Sequence, residues 1–389
     1  MGNAQVAQGN LAGALASYRT GLAITEQLSQ ADPSNTDWQH HLSVSYGKIG
    51  NVQLAQGNLA DALASYRADL AIAERLAKSD PNNTGWQLDL ATSYNRVGDV
   101  EVKQGNLAAA LASFRSSLAI DERLASADPS NANWQHALGI SYDRIGDVET
   151  AQGKLSDALA SYRAGLAISE QLSQADPSNA GRQRSLSVSY YKVGNALLAQ
   201  GNRGEALASY RASLAILERL ANADPSNASR QDDLAIAHDR LGDVQEEQGN
   251  LQDALASYRA GFAIRERLAK ADPTNTSWQH GLSISYEKVG NVLLEQGNLA
   301  DALTSYRRDV EISEQLSKTD PNNASWQRDL EIAYNKIAEV QAARDNPAEA
   351  LAAYRAGLAI AERLAKLDPS NAGWQHDLSF SYNKVGDLA

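Results

Sequence analysis

DPSNTDWQHHLSVSYGKIGNVQLAQGNLADALASYR, residues Asp32 to Arg67, is the stretch from which the rest of the chain is understood, because the chain is this stretch and its continuation repeated. Pro33 recurs as Pro81, Pro129, Pro177, Pro225, Pro273, Pro321 and Pro369, each 48 residues after the last and with no insertion or deletion between them. A turn glycine keeps the same step through Gly9, Gly57, Gly105, Gly153, Gly201, Gly249 and Gly297, and Asp345 stands in the eighth place. A fixed period of this size is the signature of a solenoid.

One repeat contains two helices. After the turn cluster Asp32-Pro33-Ser34-Asn35, with Asn35 and Thr36 available as N-caps, large side chains fall at Trp38, Leu42, Tyr46, Ile49 and Val52. These spacings of three and four draw one face of a helix. Gln56-Gly57-Asn58 breaks it, with Gly57 suited to a left-handed C-cap. A second helix follows with Leu59, Ala62, Leu63, Tyr66, Leu70 and Leu76 on its buried side, and it ends before Asp80-Pro81. Each helix is about 20 residues, roughly 30 Å long, and so short a connection forces an antiparallel hairpin.

The 389 residues show no composition shift, charge run or linker that would divide them, so the expectation is a single array over 1–389. It comprises a partial repeat 1–35, full repeats 36–83, 84–131, 132–179, 180–227, 228–275, 276–323 and 324–371, and a partial repeat 372–389. A hydrophobic content of 43% with three Phe, one Met and much Ala suits thin helix-on-helix packing. The net charge of −12 argues against nucleic acid, which requires a basic face. Cysteine is absent, which removes disulfides and thiolate chemistry. No run approaches a membrane span or signal-peptide core, and the expectation is a soluble, cytoplasmic protein. The sequons Asn82-Asn83-Thr84 and Asn227-Ala228-Ser229 read as turn and capping residues.

Tyr46, Ile49, Gly50, Ala62 and Tyr66, with few lapses in the other repeats, make the chain resemble the tetratricopeptide repeat family. Gln53 departs from that pattern, which favours a large aromatic there, and Tyr46 stands where Trp is usual. The repeat is longer than the family's by seven residues on each helix, close to two turns, so the phase is kept. The resemblance is to long-helix variants, such as those of kinesin light chains and many bacterial signalling proteins. It implies an all-α fold, a right-handed α-solenoid (superhelix) of antiparallel helix pairs whose first helices line a concave groove. Groove positions would be those of Val44, Gly47, Asn51, Leu54 and Ala55.

Two polar rows follow from that placement. One reads Asn95, Asp143, Tyr191, Asp239, Glu287 and Asn335 at the position of Gly47; the other reads Asn51, Asp99, Asp147, Asn195, Asp243, Asn291 and Glu339. Asn can pair with an extended peptide backbone and carboxylates favour Lys or Arg on a ligand. The same acids could instead pair with the basic row Lys48, Arg96, Arg144, Lys192, Arg240, Lys288, Lys336 and Lys384. Residues identical in every repeat, among them Gln39, Leu42, Arg67, Glu74, Asp80 and Asn83, are read as serving the stacking that all repeats share.

The middle of the array is irregular. Arg182 and Arg230 replace the recurrent Trp38, Arg203 replaces Leu59, His238 replaces Tyr46, and Arg184 lies in the same region. A docking spot or hinge and ordinary drift both account for this. The six histidines mostly sit one per repeat, too far apart to share a metal, and no nucleotide, nucleophile-elbow or zincin motif occurs. The expectation is therefore no enzyme, no metal and no cofactor, but a scaffold that binds a basic or extended peptide or protein. Because both termini fall inside a first helix by the period, end-to-end stacking into a homo-oligomer and excision from a longer signalling protein are the alternatives.

Overall fold

The computed structural model describes residues 2–388, and within them seventeen α-helices follow one another with no strand. Contacts group the chain into two compact units, Met1–Asn202 and Arg203–Ala389. Unit 1 holds α1 (Gly2–Ala7), α2 (Leu11–Ala31), α3 (Thr36–Ala55), α4 (Leu59–Ser79), α5 (Thr84–Lys103), α6 (Leu107–Ala127), α7 (Ala132–Ala151), α8 (Leu155–Ala175) and α9 (Ala180–Ala199). Unit 2 holds α10 (Arg203–Ala223), α11 (Ala228–Glu247), α12 (Leu251–Ala271), α13 (Thr276–Glu295), α14 (Leu299–Thr319), α15 (Ala324–Ala343), α16 (Pro347–Leu367) and α17 (Ala372–Leu388). Odd-numbered helices from α3 onward are the first helices of the repeats, and even-numbered helices are the second.

Each boundary has a local cause. Asn35, Asn83, Asn131 and Asn275 cap first helices by accepting the backbone N–H three residues on, at 3.2 Å in each case. At the far end, Asn58 N donates to Gln53 O at 2.9 Å and Gly57 N to Leu54 O at 3.0 Å, a Schellman closure. That closure needs a left-handed residue. Gly57 has φ 80°, its six equivalents lie between 73° and 80°, and Asp345 adopts φ 60°. In the loop that leads to the next repeat, Asp80 accepts the backbone N–H of Asn82 at 3.1 Å.

Within each unit every helix packs on the one before and the one after it. The cores are thin and repeat with the sequence. Tyr66, Tyr258 and Tyr306 are at most 1% exposed, and each lies over the bare backbone of Gly50, Gly242 or Gly290, where a Cβ would stand within 2.7 Å of the ring. The glycine of the repeat is therefore a contact residue for the tyrosine sixteen positions later. Burying such a ring stabilises by roughly 1.5–3 kcal/mol. Trp86 and Trp134 are half-buried against the preceding second helix, on clusters that include Ile72 with Leu76 and Ile120 with Leu124.

The departure at Gln53 also has a structural reason. Gln53 is buried and accepts from Ser65 Oγ at 2.7 Å, and Glu101 and Glu149 repeat the contact with Ser113 at 2.9 Å and Ser161 at 2.8 Å. Arg67 reaches Glu101 at 3.2 Å and Arg115 reaches Glu149 at 3.6 Å. A hydrogen-bonded pair thus fills the space that an aromatic would take. Glu74 accepts from the Tyr94 hydroxyl at 2.8 Å, a bond repeated by Glu26 with Tyr46 and Glu122 with Tyr142. These bonds account for residues that do not vary between repeats.

Candidate functional site

The first helices of each unit lie side by side, joined by side chains from one to the next. In unit 1, His40 meets Asp89 at 3.2 Å, Arg144 meets Asp99, and Lys192 meets Asp147 at 2.7 Å. In unit 2, Lys288 meets Asp243, His280 meets Asp329 at 2.9 Å, and Arg328 meets Asp377 at 2.8 Å. The candidate site is this face.

The row that begins at Asn51 lies on the face, and its members take a tyrosine hydroxyl, a base of the next first helix, or both. Tyr66, Tyr162, Tyr258 and Tyr306 donate their hydroxyls to Asn51, Asp147, Asp243 and Asn291 at 2.7 to 2.8 Å. The acids Asp99, Asp147 and Asp243 also take the basic residue 45 positions later, from the next first helix. Where the partner position is neutral the base goes elsewhere: Arg96, 45 residues after Asn51, binds Asp69 at 3.0 Å, and Lys336, 45 after Asn291, binds Glu339 at 3.2 Å. Asn195 is exposed on α9. Burial of Tyr66, and beyond it the charges of Asp99 and Asp69, push its phenol up to about 12 against the pull of Arg96.

The row that begins at Gly47 turns into the hairpin instead. Asp239 and Asn335 are buried, and Asn95, Asp143, Tyr191 and Glu287 are half-buried. In four hairpins a polar side chain on one helix is matched by a glycine on the other. Gly47 faces Asp69, whereas Asp143 faces Gly165, Asp239 faces Gly261 and Asn335 faces Gly357, with the oxygen at 2.7 to 3.3 Å from where the glycine's Cβ would be. Each of these hairpins therefore holds one polar side chain, contributed by either helix. Oδ1 of Asn95, Asp143, Asp239 and Asn335 is buried with no hydrogen-bond partner among the described residues. Burial pushes the Asp143 carboxyl up to about 6. Asp239 is also raised by burial, although Arg265 beside it pulls the other way. One hairpin holds two acids, Glu287 and Asp309. Burial and then the Glu287 charge push Asp309 up to about 7, even though Ser283 and Ser313 donate to it.

Aliphatic side chains occupy the exposed part of the face. Val44, Ile140 and Val188 are 37 to 40% exposed in unit 1, and Ile236 is 41% exposed in unit 2. They share one position of the repeat, three residues before the Gly47 row. A groove pocket of about 470 Å³ lies over Val44, Lys48, Asn51 and Asp69. Another of about 530 Å³ joins Ile140 to Val102, Leu54 and Phe114, and its rim carries the Asp99–Arg144 and Asp147–Lys192 pairs. The aliphatic row was in view at Val44 in the sequence. Its importance depends on the engagement of the polar rows, which only the packing reveals.

The irregular arginines make ion pairs within their own units. Arg182 extends to Asp176 at 3.9 Å in unit 1, and Arg230 to Asp224 at 3.6 Å and Arg203 to Glu247 at 3.6 Å in unit 2. Arg182 and Arg230 use the turn aspartate to hold a long side chain where tryptophan stands in other repeats. Arg184 is exposed and lines a smaller pocket with His136 and Asp143. Among the described residues, no group of three or more His, Asp or Glu is placed to hold a metal, and no helix is long and apolar enough to cross a membrane.

Comparison with known proteins bears on the fold. Tetratricopeptide repeat models match residues 89–171, 187–226 and 284–322. No curated protein matches the chain. Among solved structures, apo RapI is similar at 12% identity and a TM-score of 0.55, covering 97% of each chain. BtubC (BKLC) from P. vanneervenii is similar at 18% identity and a TM-score of 0.51, covering 66% of this chain and 92% of its own. At such identities the likeness is one of fold. Tetratricopeptide repeats are thus recognised in three stretches of the chain, and the same helix pair recurs at the same 48-residue step along the rest of the sequence, so that the chain is similar to tetratricopeptide repeat proteins.

Proposed function

We propose that this chain is a non-catalytic scaffold whose first-helix face binds an extended segment of another protein. The observation that carries this reading is one position of the repeat: Val44, Ile140 and Val188 in unit 1, with Thr92 at the same position between the first two, and Ile236 in unit 2 remain 37 to 41% exposed beside acids that are engaged by bases of the neighbouring first helix. Aliphatic side chains scattered singly over a surface need no explanation, but a row kept at one position of the repeat does. The mechanism is many shallow contacts along a preformed surface, with little ordering cost on the scaffold's side.

A displayed library of random peptides, panned on the immobilised full chain, tests this. The expected result is enrichment that is lost with Ile140→Asp plus Val188→Asp and retained with Ala112→Asp plus Ala160→Asp, which alter exposed positions on the second helices α6 and α8. No enrichment, or enrichment indifferent to the first pair, overturns the proposal.

A further inference from the structure

A cleft of about 340 Å³ in unit 1 is lined by α7, α8 and α9, and it holds a carboxylate that nothing neutralises. Ile140, Ile168, Leu172 and Val188 give the cleft an apolar lining. Gly139 leaves room in it, where the other hairpins of unit 1 carry Ser43, Ala91 or Ser187. Asp143 lines the same space. Its Oδ1 is buried against Gly165, and among the described residues neither of its oxygens has a hydrogen-bond or ion-pair partner. Lys192, whose charge Asp143 feels, is bound to both oxygens of Asp147 at 2.7 Å. Four side chains at this position of the repeat keep an unpartnered oxygen. Asn95 and Asn335 are neutral and Asp239 is bound by Arg265, so Asp143 is the carboxylate among them without a cation. Burial raises its carboxyl to about 6 against the pull of Lys192, which leaves most of it ionised at neutral pH.

A bridge seen at other first helices is also missing here. His40 pairs with Asp89 and His280 with Asp329, each 49 residues on, whereas the same step from His136 reaches Ser185. His136 and Ser185 both line the cleft, and Arg184, the other cation there, is itself engaged. A carboxylate with one oxygen enclosed selects among cations. A guanidinium gains most by taking both oxygens in parallel, which the burial of Oδ1 against Gly165 prevents. An ammonium is a compact charge that one oxygen satisfies, and its other hydrogens can go to a hydroxyl or to water. The apolar lining suits a methylene stem, which a lysine lays along apolar surface while its head stays polar.

We propose that the cleft receives a lysine side chain of the bound protein segment, with its stem among Ile140, Ile168, Leu172 and Val188 and its ammonium on Asp143. This rests on the first-helix face being the binding face. Fluorescence anisotropy with the full chain and three labelled, end-blocked heptapeptides of Ala and Val, with lysine, norleucine or arginine at the centre, decides it. The lysine peptide is expected to bind about tenfold more tightly than each of the others, as suits a charge-assisted hydrogen bond to a partly buried carboxylate. Asp143→Asn is expected to abolish the preference over norleucine and to fold, since Asn95 and Asn335 occupy this position in other repeats. Asp157→Asn, the same change of charge at an exposed position of α8, is expected to keep the preference.

Equal binding by the lysine and norleucine peptides, arginine binding as tightly as lysine, or a lysine preference that survives Asp143→Asn overturns the inference. n-Butylamine that binds through Asp143 in saturation-transfer NMR, while none of the peptides binds, would assign the cleft to a free amine and overturn it as well. If no probe binds while the random library still enriches through Ile140 and Val188, the inference fails and the binding face stands. If the library fails too, both fall.

Discussion

At the scale of the residue, the turn glycines and the buried carboxylates determine most of the local behaviour. Gly57 at φ 80° closes its hairpin in a conformation that costs an L-residue about 1–2 kcal/mol. Gly57→Ala is expected to destabilise by about that amount in urea denaturation, and Asp345→Gly to stabilise by about 0.5–1 kcal/mol. Asp309 makes a different prediction. Its folded-state carboxyl, near 7, lies above the usual value of about 3.9. The native state therefore keeps a proton that the unfolded chain releases, and stability contributed below about pH 4 is lost as pH rises to about 7. Glu331, also pushed to about 7 by burial, acts in the same sense. Thermal melts from pH 5 to 8 are expected to show a falling Tm. Asp309→Asn, whose side-chain oxygen can still accept from Ser283 and Ser313, is expected to flatten that fall and raise the Tm at pH 8. A lower Tm than wild type at pH 8 would contradict it.

At the scale of the element, four hairpins hold one polar side chain at this level of their centre, contributed by either helix and facing a glycine of the other. Gly165→Ala on α8 would bring a Cβ to 3.0 Å from Asp143 Oδ1 and 3.2 Å from Gly139 O, so a loss of about 1–3 kcal/mol is expected. The exchange Asp143→Gly with Gly165→Asp would reproduce the Gly47 and Asp69 arrangement. It is expected to cost less than the sum of the two single changes, with a coupling of about 0.5–3 kcal/mol. Additive costs would show that the match in size is incidental. Much of this level is legible in the sequence, since helix lengths, asparagine caps and the left-handed turn follow from Asn35, Gly57 and the three-and-four spacing of large residues. The Gly47/Asp69 exchange was also legible, because the repeats act as comparisons for one another: Asp143 with Gly165 and Asp239 with Gly261 invert the same pair. Reading each row by itself hides this, since the signal is in two positions taken together.

At the scale of the whole molecule, sequence periodicity is enough for the helical-repeat fold but not for the state of the first-helix face. From the sequence, Asp99 and Asp147 read equally as ligand contacts and as partners of the basic row. Their pairing with Arg144 and Lys192 depends on how neighbouring first helices are staggered, which a periodic sequence does not record. The 45-residue offset between acid and base becomes visible only once the helices are packed. With those charges engaged, Val44, Ile140 and Val188 are the exposed aliphatic side chains at their position of the repeat in unit 1. Asp99→Asn is accordingly expected to change peptide capture by less than about twofold and to cost at most about 1 kcal/mol of stability, as suits a partly exposed ion pair. Site-specific photo-crosslinking to a library-selected peptide is the direct measurement, with the crosslinker placed at Ile140 on α7 in one protein and at Ala160 on α8 in another. An adduct from position 140 and none from position 160 is the expected result. An adduct from position 160 alone would show that the first-helix face is not where this protein binds.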